Sequence, residues 1–325
     1  MRRREFMGRV GRTGLAAAAA VVGGLHLHDR RSAAQHLAAQ DDEAVRLPSY
    51  RVDRGTGAVA LAVARGSQRE ALVRAAVGAL GGMGAFVGPG DVVLVKPNAA
   101  FDRPASLGAT THPDVLRAVI ALCREAGARR ILVADNPINQ PQACLSRTGL
   151  GQAAEELGAR VVWPRPDAFR PVRIGGEALD TWPLFHGPLA QATRLIGLAP
   201  CKDHNLCGAS LTMKNWYGLL GGQRAQFHQR IHAVIADFAL MVQPTLVVLD
   251  ATRMLVRNGP TGGSPADLAE GSALVAGTDM VAVDAMGAQL LGRDPAQLEY
   301  LHRAAARGLG TTQWQSLAWR EVQVG

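Results

Sequence analysis

Apolar and polar positions alternate along this chain in two rhythms. Short β-branched runs recur at Val59–Ala64, Val92–Lys96, Arg130–Ala134, Arg160–Trp163, Arg194–Leu198, Thr245–Leu249 and Ala273–Ala276. Between them lie longer Ala/Leu-rich stretches with helical spacing: Ser67–Leu80, Pro113–Ala126, Gly151–Leu157, His228–Phe238, Met280–Leu291 and Pro295–Arg307. Near-continuous apolar strands alternating with helices predict an α/β fold, a mostly parallel sheet with helices on both faces in three layers. Thr111-His112-Pro113 reads as a helix start with Pro at its first position, and Thr278-Asp279 as the cap of the helix that follows.

In such sheets ligands bind beyond the carboxyl ends of the strands. Four predicted strands exit there into charged or amide residues. Val92-Val93-Leu94-Val95 runs into Lys96-Pro97-Asn98, and Ile131-Leu132-Val133-Ala134 into Asp135-Asn136. Leu195-Ile196-Gly197-Leu198 leads to Lys202-Asp203-His204, and Leu246-Val247-Val248-Leu249 ends at Asp250. Four such exits predict one shared cleft.

The N-terminus changes the domain boundaries. Arg2-Arg3-Arg4-Glu5-Phe6-Met7 precedes a Gly- and Ala-rich apolar stretch from Gly14 to Leu27, and Ser32-Ala33-Ala34 supplies small residues for cleavage. Residues 1–34 therefore read as a twin-arginine signal peptide, with the translocase as a partner during export and the periplasm or cell envelope as destination. The alternative is an uncleaved anchor. The apolar stretch falls short of the roughly 20 residues of a membrane span. Residues 35–56 read as a polar linker, and residues 57–325 as a single α/β domain.

Net charge is +8, but seven arginines against Glu5 and Asp29 place +5 of it in residues 1–34, leaving +3. With no basic run interleaved with aromatics, nucleic acid is not an expected partner. The four cysteines form no Cys-x-x-Cys pair, so no iron–sulfur cluster is expected; a Cys201–Cys207 disulfide would suit an oxidising compartment.

Candidate chemistry centres on lysine. Arginine supplies almost every cation, and the chain has only three lysines: Lys96, Lys202 and Lys214. Lysine does what arginine cannot: it is a compact point charge, its pKa moves on burial, and its neutral amine is a nucleophile. All three lie in or beside the strand exits. Asp135, Asp250 and Asp284 are candidates to orient the groups that hold a metal or move protons, Asp284 also to pair with a lysine, and the three lysines and three aspartates form the candidate catalytic set. Asn98, Asn215 and the loop glycines Gly259, Gly262 and Gly263 are candidate contacts for a small carboxylate or phosphate, although that Gly-rich loop also suits a tight chain crossing. His228 and His232, four apart on a predicted helix, join His204 as candidate ligands of a divalent transition metal or as proton-transfer groups. A Gly-x-Ser-x-Gly elbow is missing.

The ordered set of segments resembles the uncharacterised family called domain of unknown function 362. It runs from Gly90-Asp91 to Lys96-Pro97-Asn98, through Thr111-His112-Pro113, Gly127 to Asp135, Lys202-Asp203-His204, and Thr212-Met213-Lys214-Asn215-Trp216-Tyr217-Gly218. It continues with His232 to Asp237, Asp250, Gly259-Pro260-Thr261-Gly262-Gly263 and Asp279 to Ala285. The match spans roughly residues 57–310, a range typical of one large domain. The resemblance implies no general activity; some members carry ferredoxin-type cysteine motifs that this chain lacks. In layout the family is distantly similar to the N-terminal half of nickel-dependent lactate racemases. The expected function is an exported enzyme acting on a small anionic molecule. The rival expectations are a non-catalytic ligand- or cofactor-binding protein and a partner of a membrane redox complex.

Overall fold

The computed structural model describes residues 44–325; the expected signal peptide and the first part of the expected linker lie outside the described residues. Nine strands form one mixed sheet. In chain order they are β1 (Leu61–Arg65), β2 (Val92–Lys96), β3 (Arg130–Val133), β4 (Arg160–Val161), β7 (Arg194–His204), β8 (Gly208–Ser210), β9 (Leu246–Leu255), β10 (Leu268–Gly277) and β11 (Trp319–Gln323). The sheet order is β11-β1-β10-β9-β7-β2-β3-β4, with β8 folding back on the end of β7. Neighbours pair in parallel from β9 to β4 and between β1 and β11, while β10 runs antiparallel to β1 and β9. The expected mostly parallel α/β sheet is therefore present.

Strand alternation divides the core into two layers. Val93 and Val95 join Ala62, Ala64 and Val248 against helices α1 (Arg69–Ala79), α2 (Pro113–Glu125) and α4 (Leu150–Glu156). Val92 and Leu94 join Leu61, Val63 and Val247 on the opposite face, under α7 (Ile231–Met241), α8 (Met280–Leu290) and α9 (Glu299–Ala306). Burial on both faces explains why these strands read as continuous apolar runs. Helix α3 (Pro141–Thr148) and the short α5 (His186–Gln191) and α6 (Thr212–Asn215) complete the set. Among the described residues no helix is long and apolar enough to cross a membrane.

Helix starts follow their sequence signals. The His112 side chain accepts the Asp114 N–H ahead of Pro113, and the Asp279 carboxylate accepts the N–H groups of Val281 and Ala282. Elsewhere the structure departs from expectation. Strands β7 and β9 run on to 11 and 10 residues, so Lys202 and His204 sit on a strand and not in a loop. A register shift between Pro200 and Lys202 interrupts the β7–β9 ladder, which resumes with Lys202 opposite Leu255, and a residue without an N–H suits such an irregularity. A separate hairpin, β5 (Arg170–Arg173) and β6 (Thr181–Leu184), was hidden in sequence because Pro171 and Pro183 face each other across it. The edge strand β11 was hidden by its polar Trp-Arg-Glu-Val-Gln pattern.

Two further expectations need correction. Within the expected linker, Tyr50 is a core residue: its hydroxyl donates to Leu189 O at 3.0 Å and its carbonyl accepts the Thr245 hydroxyl. The helix expected from His228 begins only at Ile231, because Arg224–Arg230 is wound as a tighter 3₁₀ segment. All four cysteines are buried and unpaired, so Cys201 and Cys207 are not bridged.

Candidate functional site

The carboxyl ends of β2, β3 and β7 meet the turn that carries α6, and between them lies a cleft with ≈ 520 Å³ of empty space, mouth included. Lys96, Lys202 and Lys214 all line it. The chain's three lysines, spread over more than a hundred residues of sequence, thus share one pocket.

Lys96 closes β2 and Asp135 follows β3, so adjacent parallel strands bring them together. Lys96 Nζ lies 2.7 Å from Asp135 Oδ1, with both side chains almost inaccessible. Nζ also donates to Pro97 O at 2.7 Å and Asn215 Oδ1 at 3.2 Å, while Asp135 Oδ2 accepts the Ala99 N–H at 2.7 Å. Burial lowers the Lys96 pKa and the Asp135 charge opposes that shift. Gly218 is what lets the pair fit: a Cβ there would collide with Asp135 Oδ1 and stand 2.8 Å from Lys96 Nζ.

The other two ammonium groups have no carboxylate partner among the described residues. Lys202 is 1 % exposed, donates to Ala109 O at 2.5 Å and stands 5.1 Å over the Phe101 ring. Burial first, and then the charges of Lys214 and Lys96, push its pKa down to about 7. Lys214 lies over the Tyr217 ring at 5.0 Å, its pKa also lowered by burial. Arg224 leans on the same ring and spends its N–H groups on the carbonyls of Asn136 and Pro137 at 2.7 and 2.6 Å. Among the described residues the only carboxylate lining the cleft is Asp135, already engaged by Lys96. The cleft is short of negative charge.

Neutral donors surround these cations. Asn215 Oδ1 accepts from Lys96 and from Asn98 Nδ2, and its own amide reaches Leu198 O at 3.0 Å. His204 is buried beside Lys214 and Lys202; burial and those charges push its pKa down to about 2. Its Nδ1 accepts the Leu206 N–H at 3.1 Å, which leaves the proton of the neutral ring on Nε2. The ring therefore serves the cleft as a hydrogen-bond donor.

Not every candidate converges. Asp250 pairs with Arg69 at 3.0 Å in a separate pocket beside His112 and Arg253, because β9 opens on the other side of β7. Asp284 meets no lysine; it is fully buried and accepts the N–H groups of Thr212 and Met213 at 2.8 and 3.0 Å, together with the Thr212 hydroxyl. It thereby anchors the start of α6, the turn that carries Lys214 and Asn215. Burial raises its pKa to about 7, against the pull of those hydrogen bonds. Gly259 serves the chain crossing, because a Cβ there would collide with the Asp203 backbone. Gly262 packs on Leu255, Gly263 lies near Arg103, and the loop lines the cleft with Pro260 alone.

The three histidines do not form a metal set. His228 lines the cleft, but its Nδ1 is tied to Ala225 O at 2.8 Å, and His232 stacks on Tyr300 away from the cleft. The helical spacing that would have aligned them fails because the first lies in the 3₁₀ segment. With the His204 proton on Nε2, the nitrogen free for a ligand is a donor and not a lone pair. No group of three His, Cys, Asp or Glu with metal-holding geometry occurs among the described residues.

Sequence reasoning missed Phe101, Tyr217, Gly218 and Arg224. Tyr217 and Gly218 follow Lys214-Asn215 directly, and that proximity was the available signal. Phe101 and Arg224 had none, since each sits in a segment without periodicity.

The family described as Domain of unknown function (DUF362) matches residues 93–289, which include every residue of the cleft. A thylakoid-associated protein of Synechocystis sp. (sll1697) is 27% identical over 248 residues, covering 72% of this chain and 73% of its own. The lactate racemase apoprotein of Thermoanaerobacterium thermosaccharolyticum superposes with a TM-score of 0.36 at 12% identity. That match covers 74% of this chain, which spans 60% of the racemase.

Proposed function

The chain belongs to the DUF362 family, and from that premise we propose that it is an enzyme whose lysine cleft binds and activates a small carboxylate- or phosphate-bearing molecule. One observation carries the reading: Lys202 and Lys214 face the cleft with no carboxylate among the described residues to neutralise them, while Asp135 is occupied by Lys96. Buried cations without a counter-charge are costly unless an anion completes the site. Converging cations and N–H donors fixed in advance also stabilise negative charge that develops during reaction. Lys202 and Lys214 would hold the anion, Asn98 and His204 would donate to it, and Lys96–Asp135–Asn215 would keep the floor rigid. In this reading the protein works in the periplasm or cell envelope, which the Arg2-Arg3 pattern and the following apolar stretch support.

The test is thermal stability and calorimetric titration with inorganic phosphate, pyruvate, lactate and succinate. A ligand that binds only the folded state at one hundred times its Kd stabilises by about 2.7 kcal/mol. The expected result is selective stabilisation by at least one of these anions, lost in Lys214→Met. Equal stabilisation of wild type and variant by every anion would overturn the proposal. Substrate turnover, as against binding alone, separates an enzyme from a binding protein.

A further inference from the structure

Lys202 differs from its two companions in a way that anion binding alone does not require. Lys96 is held by a carboxylate, and Lys214 is the less buried. Lys202 is sealed at 1 % exposure, with one carbonyl as its hydrogen-bond partner, an aromatic ring beneath it and two further ammonium groups in the same cleft. Burial, the largest effect, and the two neighbouring ammonium charges disfavour the protonated form, and they outweigh the carbonyl and the ring, which favour it. A desolvated lysine beside other cations is how a fold makes a neutral, nucleophilic amine near neutral pH.

We infer that Lys202 is a covalent nucleophile that forms an imine with a small 2-oxo acid, the carboxylate of which is held by Lys214 in the same cleft. This rests on the proposed anion site and names its substrate class. The Nζ lone pair attacks the carbonyl carbon, the C=O π bond opens, and the oxygen takes a proton to give a carbinolamine. The nitrogen loses a proton, the hydroxyl leaves as water with a second proton, and a C=N bond replaces the C=O bond. Nothing is oxidised or reduced, and water is the only by-product. The protonated imine then withdraws electrons from the neighbouring carbon, the chemistry needed to break a bond there. The Nε2–H of His204 and the Lys214 ammonium line the same cleft as donors for the carbonyl oxygen and the carboxylate.

The lysine-poor composition makes the test specific, because all three lysines lie in this one cleft and the N-terminal amine is the only other primary amine. The protein is incubated with pyruvate or glyoxylate and sodium cyanoborohydride, digested, and the modified peptide sequenced by mass spectrometry. The expected result is one reduced adduct per chain on Lys202, with a trapping rate that rises as pH passes through about 7. Lys202→Arg, which has no nucleophilic amine at that position, should lose the adduct. If pyruvate stabilises the protein but modification is absent or falls on Lys96, Lys214 or the N-terminus, the imine is wrong and the anion site stands. If neither pyruvate nor phosphate stabilises the protein, the anion site fails and the imine with it. Mapping the adduct in the unaltered protein decides the matter even if the arginine variant fails to fold.

Discussion

Lys96 and Asp135, thirty-nine positions apart in sequence, form a buried ion pair at 2.7 Å because they leave adjacent parallel strands at the same height. The pair does two things. It occupies the only carboxylate that lines the cleft among the described residues, and it leaves Lys202 and Lys214 there without one.

Breaking that pair should destabilise the protein strongly. Asp135→Asn leaves the buried Lys96 ammonium without its counter-charge, and such losses cost about 3–5 kcal/mol. Urea denaturation should show the lower midpoint at neutral pH. Because the variant cleft carries one more uncompensated positive charge, saturating phosphate should recover more stability than it adds to wild type.

Gly218→Ala tests the same relationship from the backbone side. The added methyl would collide with Asp135 Oδ1, and overpacking of this kind costs about 1–3 kcal/mol. The expected outcome is a lower Tm together with weaker anion binding in calorimetry, since Lys96 and Asp135 must move into the cleft.

The turn bearing Lys214 depends on Asp284, and its pH behaviour has a definite sign. Folding raises the Asp284 pKa from 3.8 to about 7, so the folded state holds this proton more tightly. Its contribution to stability is fully present below pH 3.8 and is lost as pH rises through about 7. Lys202 has the opposite shift, from 10.5 down to about 7; its contribution is present above pH 10.5 and is lost as pH falls through about 7. Chemical denaturation from pH 4 to 7 should therefore show a downward slope in stability that Asp284→Asn flattens. Lys202→Met should remove the upward slope between pH 7 and 10.

Anion affinity should follow the Lys202 charge. Phosphate binding is expected to weaken as pH rises through about 7, where the ammonium gives up its proton. Removing the Lys214 cation should cost about 1.5–3 kcal/mol, the contribution of a hydrogen bond to a charged group, or roughly ten- to a hundredfold in Kd. Isothermal titration across pH measures both.

Residues that the fold sets apart supply the controls. Asp250→Asn and His232→Ala lie outside the cleft, one paired with Arg69 and the other stacked on Tyr300, and should leave phosphate affinity within twofold, a factor set by about 0.4 kcal/mol. His204→Ala should weaken it, because the Nε2–H donor is lost. Affinity that instead tracked His232 would place the site elsewhere.

Much of the architecture was legible along the chain. Strand β2 matched its expected span residue for residue, and α2 and α8 began where His112-Pro113 and Asp279 signalled. Such features depend on neighbours within a few positions, and a doubly covered strand leaves its apolar run in plain view. The scarcity of lysine singled out three residues that the fold brings into one cleft, since composition is legible wherever the residues end up. Strands β5, β6 and β11 were illegible because prolines and exposed polar residues break the alternation on which strand reading relies.

By itself, then, the sequence determined the alternation of strands and helices, the positions of the caps and the scarcity of lysine that singled out three residues. Tertiary structure alone decided that Asp135 faces Lys96 while Asp250 turns to Arg69, that Asp284 holds a backbone turn, and that His228 and His232 part company. The reason is geometric. Side-chain partners are chosen by strand order, register shift and the winding of one short segment, and each of these depends on contacts between residues far apart in the chain.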